Sequence, residues 1–199
     1  MAVTAGYITK TARKEFYRYI DAANVDLKAF SQTFYKRICM ANLAPILDTL
    51  VYLKHETNVW FEITNLVIPT HNDDFNEIDE MTKWIYKHLG PDVPIHFTAF
   101  HPDYKMTELP PTQANSLISA YKIAKDNGLH FVYTGNVHHK STASTYCPNC
   151  NACLIERDWY ELGDYHIKDN SCSFCGTFIP GVFTNTKGIW GRKRQPISL

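Results

Sequence analysis

The sequence lacks an excess of either charge sign, a long hydrophobic run and the common nucleotide-binding motifs. Twenty basic and twenty acidic side chains cancel over 199 residues, which makes nucleic acid an unlikely partner for the chain as a whole. No apolar run approaches the ~20 residues that span a bilayer, and no signal peptide opens the sequence. We therefore expect a cytoplasmic protein with no membrane partner. A P-loop, a Rossmann glycine fingerprint and a nucleophile-elbow serine are also missing.

The hydrophobic pattern, in contrast, is that of a folded α/β protein. Hydrophobic residues make up 45% of the chain and aromatic residues 14%, which is ample for a core. Strand-like and helix-like segments alternate through residue 137, which predicts crossover units and a parallel sheet. After residue 140 the sequence becomes turn-rich and cysteine-bearing. We place a domain boundary there, with a β/α domain at residues 1–140 and a small module at residues 141–199.

Two local predictions concern the start of the β/α domain. A helix is expected over residues 10–21, capped by Thr9 and buried through Phe16, Tyr19 and Ile20. The first complete strand is expected at residues 25–29, as an exposed edge of an incomplete barrel.

Three apolar segments end in polar residues: residues 94–106, 22–30 and 59–73. The first contains an apolar aromatic run that predicts a strand buried on both faces. In parallel sheets and barrels, functional residues gather at the carboxyl ends of the strands. The sequence therefore predicts one site shared by the three polar ends.

The polar residues of these segments allow two interpretations. Asp26 and Lys28 are two residues apart and would lie on one strand face. They form either a structural ion pair or a site for a polar or zwitterionic ligand. His101 is either a rim histidine or part of such a site, and Glu62 and Thr64 are candidates for hydrogen bonding within the core.

Five of the six cysteines lie between residues 147 and 175, which in a reducing compartment indicates a metal site. Two CxxC pairs, separated by 21 residues, have the spacing of a zinc ribbon; they are Cys147, Cys150, Cys172 and Cys175. Cys153 extends the first pair to CxxCxxC and leaves an iron–sulfur interpretation open, although Arg157 stands where a ferredoxin run has its next cysteine. We expect a structural zinc ion that takes no part in catalysis.

Taken together, the phrases DLKAF, VWFEITNLVIPTHND and HFTAFHPDYKM resemble the second half of a radical S-adenosylmethionine enzyme of the pyruvate formate-lyase activating-enzyme-like branch. Within that branch, YTGNVH and the CPxC…CxxC ribbon resemble the AmmeMemoRadiSam-system proteins. The resemblance covers nearly the whole chain.

The resemblance implies a partial (β/α)6 barrel in which a [4Fe–4S] cluster reduces S-adenosylmethionine. The resulting deoxyadenosyl radical would abstract a hydrogen atom from an unknown substrate. It places Asp26 and Lys28 in the S-adenosylmethionine or substrate cavity. Thr64 and Val67 would line the cofactor cleft, and His101 would approach the adenosine end. No catalytic residue is assigned.

The chain departs from the family in two respects: the cluster motif CxxxCxxC and the GGE-type segment are absent. We therefore expect the C-terminal half of a barrel, inactive without the cluster-bearing half. That half is missing either because the chain is truncated, which we favour, or because it is a separate partner chain.

Two other functions remain open. The first is a zinc-ribbon module whose basic residues, Lys187 and residues 192–194, contact an acidic partner such as RNA, with Trp159, Tyr160 and Trp190 as stacking surfaces. The second is a metal-dependent barrel enzyme that uses His71, His101 and Asp103.

Overall fold

A computed structural model describes residues 1–188 of the chain. Contacts divide the chain into two units, Met1–Asn136 and Val137–Leu199. The basic residues 192–194 and Trp190, which carried part of the RNA hypothesis, lie outside the described residues.

The first unit alternates strands and helices as the sequence predicts. Its elements, in chain order, are β1 (Ala2–Thr4), α1 (Lys10–Tyr17), β2 (Ala22–Asp26), α2 (Gln32–Ile38), α3 (Ala44–Glu56), β3 (Trp60–Val67), α4 (Phe75–Leu89), β4 (Ile95–Ala99), α5 (Ala114–Asp126) and β5 (Val132–Gly135).

The five strands form one parallel sheet in the order β1-β2-β3-β4-β5. Because successive parallel strands joined by crossovers of the usual right hand keep their helices on one side, one sheet face is covered by the helices of this unit. The other, the uncovered face, carries no helix from residues 1–136. The predicted fold class, an incomplete parallel β/α barrel followed by a cysteine-bearing module, is confirmed in this form. The predicted edge at residues 25–29 is wrong, since β1 pairs with β2.

The strands are buried on one face only, which corrects the expectation for residues 94–106. Buried and half-buried residues alternate strictly along β3 and β4. The helix-facing set includes Val25, Ile63, Ile95 and Phe97, all without measurable exposure. The apolar run predicted burial on both faces, but His96 and Thr98 interrupt it on the uncovered face.

Local helix signals were partly confirmed. Thr9 caps α1 as predicted, by accepting the amide of Ala12. Ser31 and Asp74 cap α2 and α4 in the same way, by accepting the amides of Phe34 and of Asn76 and Glu77.

The expected buried stripe of α1 is wrong. The helix ends at Tyr17 and buries Arg13 and Tyr17, while Phe16 and Tyr19 are exposed. The Arg13 guanidinium lies over the Tyr52 ring, with its carbon 4.4 Å from the ring centroid. This cation–π contact offsets part of the hydration that the buried guanidinium loses.

Up to residue 188, the second unit contains one short helix and two small antiparallel sheets. Its elements are α6 (Lys140–Ala143), β6 (Thr145–Tyr146), β7 (Cys153–Asp158), β8 (Glu161–Tyr165), β9 (Ile167–Lys168) and β10 (Ser171–Cys172). Strands β6-β7-β8 form one sheet and β9-β10 the other.

Within residues 1–188, no helix combines the length and the apolar character needed to cross a bilayer.

Candidate cofactor edge and metal centre

The uncovered face of the first unit carries a polar row across four strands. Asp26, Thr64, His96 and Tyr133 are register partners from β2 to β5, and all belong to the half-buried set. Neighbouring strands lie about 4.8 Å apart, so the row spans the sheet within reach of one small molecule. The alternation that the sequence showed in each segment is therefore the origin of a continuous polar surface.

Asp26 and Lys28 form an ion pair on this face. The Lys28 Nζ lies 2.8 Å from Asp26 Oδ2, and the two side chains are 38% and 32% exposed. Val25, Leu27 and Ala29 point to the opposite, buried side, as the sequence predicted. The pair is partly solvated, so both partners can reach a ligand without leaving a fully buried charge behind.

The backbone of Lys28 is held at both of its polar groups. Its N–H donates to the Tyr35 hydroxyl at 2.9 Å, and its carbonyl accepts from the Asn72 Nδ2. Burial raises the pKa of Tyr35 above its usual range, so the hydroxyl stays protonated.

Asn72 joins this loop to the end of β3. It is 3% exposed, its Nδ2 also donates to Leu66 O at 2.8 Å, and its Oδ1 accepts the Ile68 amide at 2.6 Å. One buried amide therefore fixes two neighbouring strand ends.

Two further side chains hold the residues around Lys28. Asn65 Nδ2 donates to Leu27 O at 2.8 Å, and Glu77 accepts the Phe30 amide at 2.8 Å. Burial raises the pKa of Glu77, against the effect of the Phe30 amide. The loop after β2 is thus held by side chains from four different segments, which is the arrangement expected of a preorganised site.

The other residues implied by the resemblance are placed as follows. Thr64 lies beside the ion pair and accepts the Asn24 Nδ2 at 2.9 Å. Val67 ends β3, but its side chain is fully buried on the helix-facing side. His101 is exposed two residues beyond β4, at the same edge because the strands are parallel. Their roles toward a cofactor stay predictions.

In the second unit, the four cysteines of the CxxC pairs come together. Cys147, Cys150, Cys172 and Cys175 place their sulfur atoms within 4.8 Å of one another, with 3.6 Å between Cys147 and Cys175 and 3.7 Å between Cys150 and Cys172. Four sulfurs at about 2.3 Å from a tetrahedral zinc ion are about 3.8 Å apart. The group therefore fits one metal ion, as the spacing predicted.

Two equivalent turns present these sulfurs. The amides of Asn151 and Gly176 donate to the carbonyls of Cys147 and Cys172 at 3.0 and 2.9 Å. Both donors have positive φ, 58° and 74°, a conformation that asparagine and glycine adopt most readily. Each CxxC pair is therefore closed by the residue that follows it.

Without an ion, the pKa values of two of these thiols are shifted in opposite directions. The Thr177 hydroxyl and amide lower the pKa of Cys175 to about 6. The pKa of Cys150 is raised to about 12: the Ala152 amide opposes the rise, but hydrogen bonds with the other thiols and burial outweigh it. A cation that allows all four thiols to deprotonate removes this conflict.

Cys153 lies outside the four-sulfur group. The iron–sulfur interpretation of the CxxCxxC run is therefore not supported by the geometry. Burial raises the pKa of the Cys153 thiol, so it behaves as a packed thiol.

The hypothesis of a metal site at His71, His101 and Asp103 is wrong. Among residues 1–188, the four cysteines are the one group of three or more potential ligands close enough to share an ion. His71 instead lies with its Nδ1 3.1 Å from the carbonyl of Pro69.

Two of the aromatic residues of the RNA hypothesis, Trp159 and Tyr160, lie in acidic surroundings. Trp159 follows β7 and stacks on His138, with ring centroids 4.8 Å apart. Asp158 and Glu161 flank the Trp159–Tyr160 turn, and Lys187 Nζ donates to the carbonyls of Leu162 and Gly163. The charge distribution around the Trp159–Tyr160 turn therefore does not favour binding of a polyanion such as RNA there.

Comparisons with known proteins found a relative in sequence and a similar solved structure. An uncharacterized protein of Methanocaldococcus jannaschii is 39% identical over 179 residues, which are 89% of this chain and 53% of that protein. The chain thus spans about half the length of this relative. No family model matches the chain.

A domain of a pyruvate-formate lyase-activating enzyme from Bacteroides vulgatus has a similar structure, with a TM-score of 0.58 and 19% identity. The match covers 68% of this chain and 80% of that domain. At this identity the likeness shows a common fold.

Proposed function

We propose that the chain is the C-terminal part of a radical S-adenosylmethionine enzyme of the activating-enzyme-like branch, of the AmmeMemoRadiSam-system type. The observation that carries the proposal is the Asp26–Lys28 pair, held rigidly at the carboxyl edge of a parallel sheet. This edge is where parallel α/β proteins bind ligands. The fold shared with the activating-enzyme domain supports the same choice.

S-adenosylmethionine fits the chemistry of this edge. The ammonium of Lys28 offers hydrogen-bond donors to a carboxylate, and the carboxylate of Asp26 offers acceptors to an ammonium group. Thr64 lies next to the pair. When bound and reductively cleaved, S-adenosylmethionine supplies a deoxyadenosyl radical that removes a hydrogen atom from a substrate. The residues named here bind and orient it.

The [4Fe–4S] cluster does not fit this chain. The sequence has no CxxxCxxC motif, and the four clustered sulfurs are spaced for a single ion. A cubane cluster places its four thiolates on four separate irons and needs them farther apart. The chain is therefore inactive alone, and the cluster comes from another part of the enzyme, either on the same polypeptide or on a partner chain.

For the four-thiolate centre we propose structural zinc. Four protein ligands leave no open position for a substrate or water, which is typical of structural sites. Both small sheets of the second unit contain two-residue strands, so the ion would supply much of the folding energy of this unit.

Binding of S-adenosylhomocysteine to the zinc-loaded chain tests the proposed function, because this analogue cannot undergo reductive cleavage. Isothermal titration calorimetry would compare the wild type with Asp26→Asn and Lys28→Met. Each variant removes one charge-assisted hydrogen bond, and we expect the affinity to fall about tenfold.

The matched control is Lys83→Met, which breaks an exposed ion pair to Asp79 of similar length, 2.6 Å. It should leave binding unchanged. Absence of binding in the wild type, or equal binding by Asp26→Asn, would refute the assignment of this edge.

A further inference from the structure

Arg13 of α1 is a buried cation without a counter-charge. The residue is 6% exposed, and its Nε is buried with no hydrogen-bond partner among residues 1–188. No carboxylate of these residues lies at ion-pair distance from the guanidinium. Asp48, one turn before Tyr52 on α3, pairs with Lys10 of α1 instead, at 3.3 Å. Since an unpaired buried charge is costly, a guanidinium in this state is typical of a site that binds an anion.

The neighbouring aromatic side chains do not supply the missing negative charge. The Tyr52 ring covers one face of the Arg13 guanidinium, whereas the N–H groups of a guanidinium point outward in its plane. Burial raises the pKa of Tyr17, and the nearby Arg13 charge only opposes that rise, so the hydroxyl stays protonated. An anion can therefore accept hydrogen bonds at the edge of the guanidinium while the Tyr52 ring keeps its place on the face.

An aromatic surface adjoins the guanidinium. The rings of Tyr52, Tyr17 and Phe16 follow one another, with centroids 6.5 and 5.0 Å apart. Tyr52 and Tyr17 are buried, whereas Phe16 is 43% exposed. Phe16 lies three residues after Arg13, and residues at this spacing are neighbours on a helix surface. A ligand whose anionic group reaches Arg13 would therefore also contact the Phe16 ring.

The charges of α1 favour an anionic partner, and their small number favours a protein segment over a polyanion. The helix contains Lys10, Arg13 and Lys14 against one acidic residue, Glu15. Lys10 is already paired, so two cations remain, whereas nucleic acids are held through several phosphate contacts. A carboxylate beside apolar side chains is what a protein segment offers, and arginine and tyrosine are enriched at the centres of protein interfaces.

We propose that Arg13 and Phe16 form a docking site for a partner protein. The partner places the carboxylate of an aspartate or glutamate against the Arg13 guanidinium and packs an apolar side chain on the Phe16 ring. The charge of Arg13 thus stabilises the complex rather than the free chain. The site is distinct from the Asp26–Lys28 edge, and the inference does not rest on the proposed function.

The probe for this docking site is the blocked peptide acetyl-Leu-Asp-Leu-Leu-amide, titrated into the zinc-loaded chain with 15N-labelled arginine. The reference is the same peptide with asparagine in place of aspartate, at equal ionic strength. We expect a saturable shift of the Arg13 Nε resonance with the aspartate peptide, at a dissociation constant on the order of 1 mM, and none with the asparagine peptide. Phe16→Ala should weaken binding about fivefold, because it removes the apolar contact.

Arg13→Met separates a docking role from a structural one. The variant keeps an unbranched apolar side chain on Tyr52 but removes the charge. It should therefore bind the aspartate peptide at least about tenfold more weakly. Its urea midpoint should be equal to or higher than that of the wild type, because an uncompensated buried charge is gone.

The matched control is Arg18→Met. The Arg18 guanidinium also lies near an aromatic ring, with its carbon 5.6 Å from the Tyr19 centroid, but at an exposed position. This variant should change neither peptide binding nor the urea midpoint.

Four results would overturn the proposal: no saturable shift, an equal shift with the asparagine peptide, unchanged binding by Phe16→Ala, or a lower urea midpoint of Arg13→Met. Inorganic phosphate, oligouridylate RNA and phosphatidylserine vesicles test the other sources of an anion. An Arg13-dependent response to any of them that is stronger than the response to the aspartate peptide would also reject a protein partner.

Discussion

Replacing Asn72 is the most direct test of how this fold holds its candidate cofactor edge. Asn72→Ala removes the hydrogen bonds to Lys28 O, Leu66 O and Ile68 N. At about 1 kcal/mol for each bond, and somewhat more for the buried Ile68 amide, we expect the free energy of unfolding to fall by about 3–4 kcal/mol. This is a large part of the stability of a typical domain.

Two measurements report this change. With a urea m-value of about 2 kcal/mol/M, the unfolding midpoint should fall by about 1.5–2 M. Native-state hydrogen exchange should become faster at the amides of Lys28 and Ile68, because the loop that carries the ion pair opens more often.

Asn72→Asp keeps the acceptor for the Ile68 amide but directs a carboxylate oxygen at two carbonyl oxygens. It should therefore be at least as destabilising as Asn72→Ala at neutral pH. The control is Asn76→Ala, at an exposed position of α4, which should change stability by less than about 0.5 kcal/mol. An unchanged midpoint and unchanged exchange at Ile68 in Asn72→Ala would refute the reasoning.

Two further predictions concern the metal and the half-buried carboxyl group of Glu77. Metal analysis after anaerobic purification should find one zinc per chain and no acid-labile sulfide; about four irons per chain would reject the zinc assignment. Removal of the metal by a chelator should make hydrogen exchange faster at the amides of Leu154 and Ile155, while the amide of Ile63 stays protected. Because burial raises the folded-state pKa of Glu77, its protonation favours the folded state. Wild type should therefore gain stability relative to Glu77→Gln as the pH falls through that pKa, and lose the gain as the pH rises. Parallel urea curves with a constant difference from pH 7 to pH 4 would contradict this.

The sheet and the four-cysteine cluster were predictable because their signals are local. Alternation along residues 22–30 and 59–73 assigned the faces of two strands, and the spacing of the two CxxC pairs was enough to identify the four cysteines that come together. Crossover connections then left few possible strand orders.

The parts that could not be predicted depend on partners distant in sequence. Asn72 donates a hydrogen bond to the carbonyl of Lys28, 44 residues away. No pattern of side chains in the sequence predicts a hydrogen bond to a backbone group. The buried face of α1 was mispredicted for a similar reason. Packing of Arg13 on Tyr52 decided which face of α1 is buried, although aromatic residues at other positions fitted the helical period.

The two CxxC turns also determine how an ion would shape the folding of the second unit. Each turn is closed by its own backbone hydrogen bond, so the two turns are local structures joined by a segment of 21 residues. Bringing the ends of such a loop together costs on the order of 3 kcal/mol in chain entropy, and doubling its length adds only about 0.6 kcal/mol. An ion shared by the turns is therefore a cross-link that tolerates insertions at the Trp159–Tyr160 tip. The length and sequence of that hairpin can change while the four thiolates stay in place.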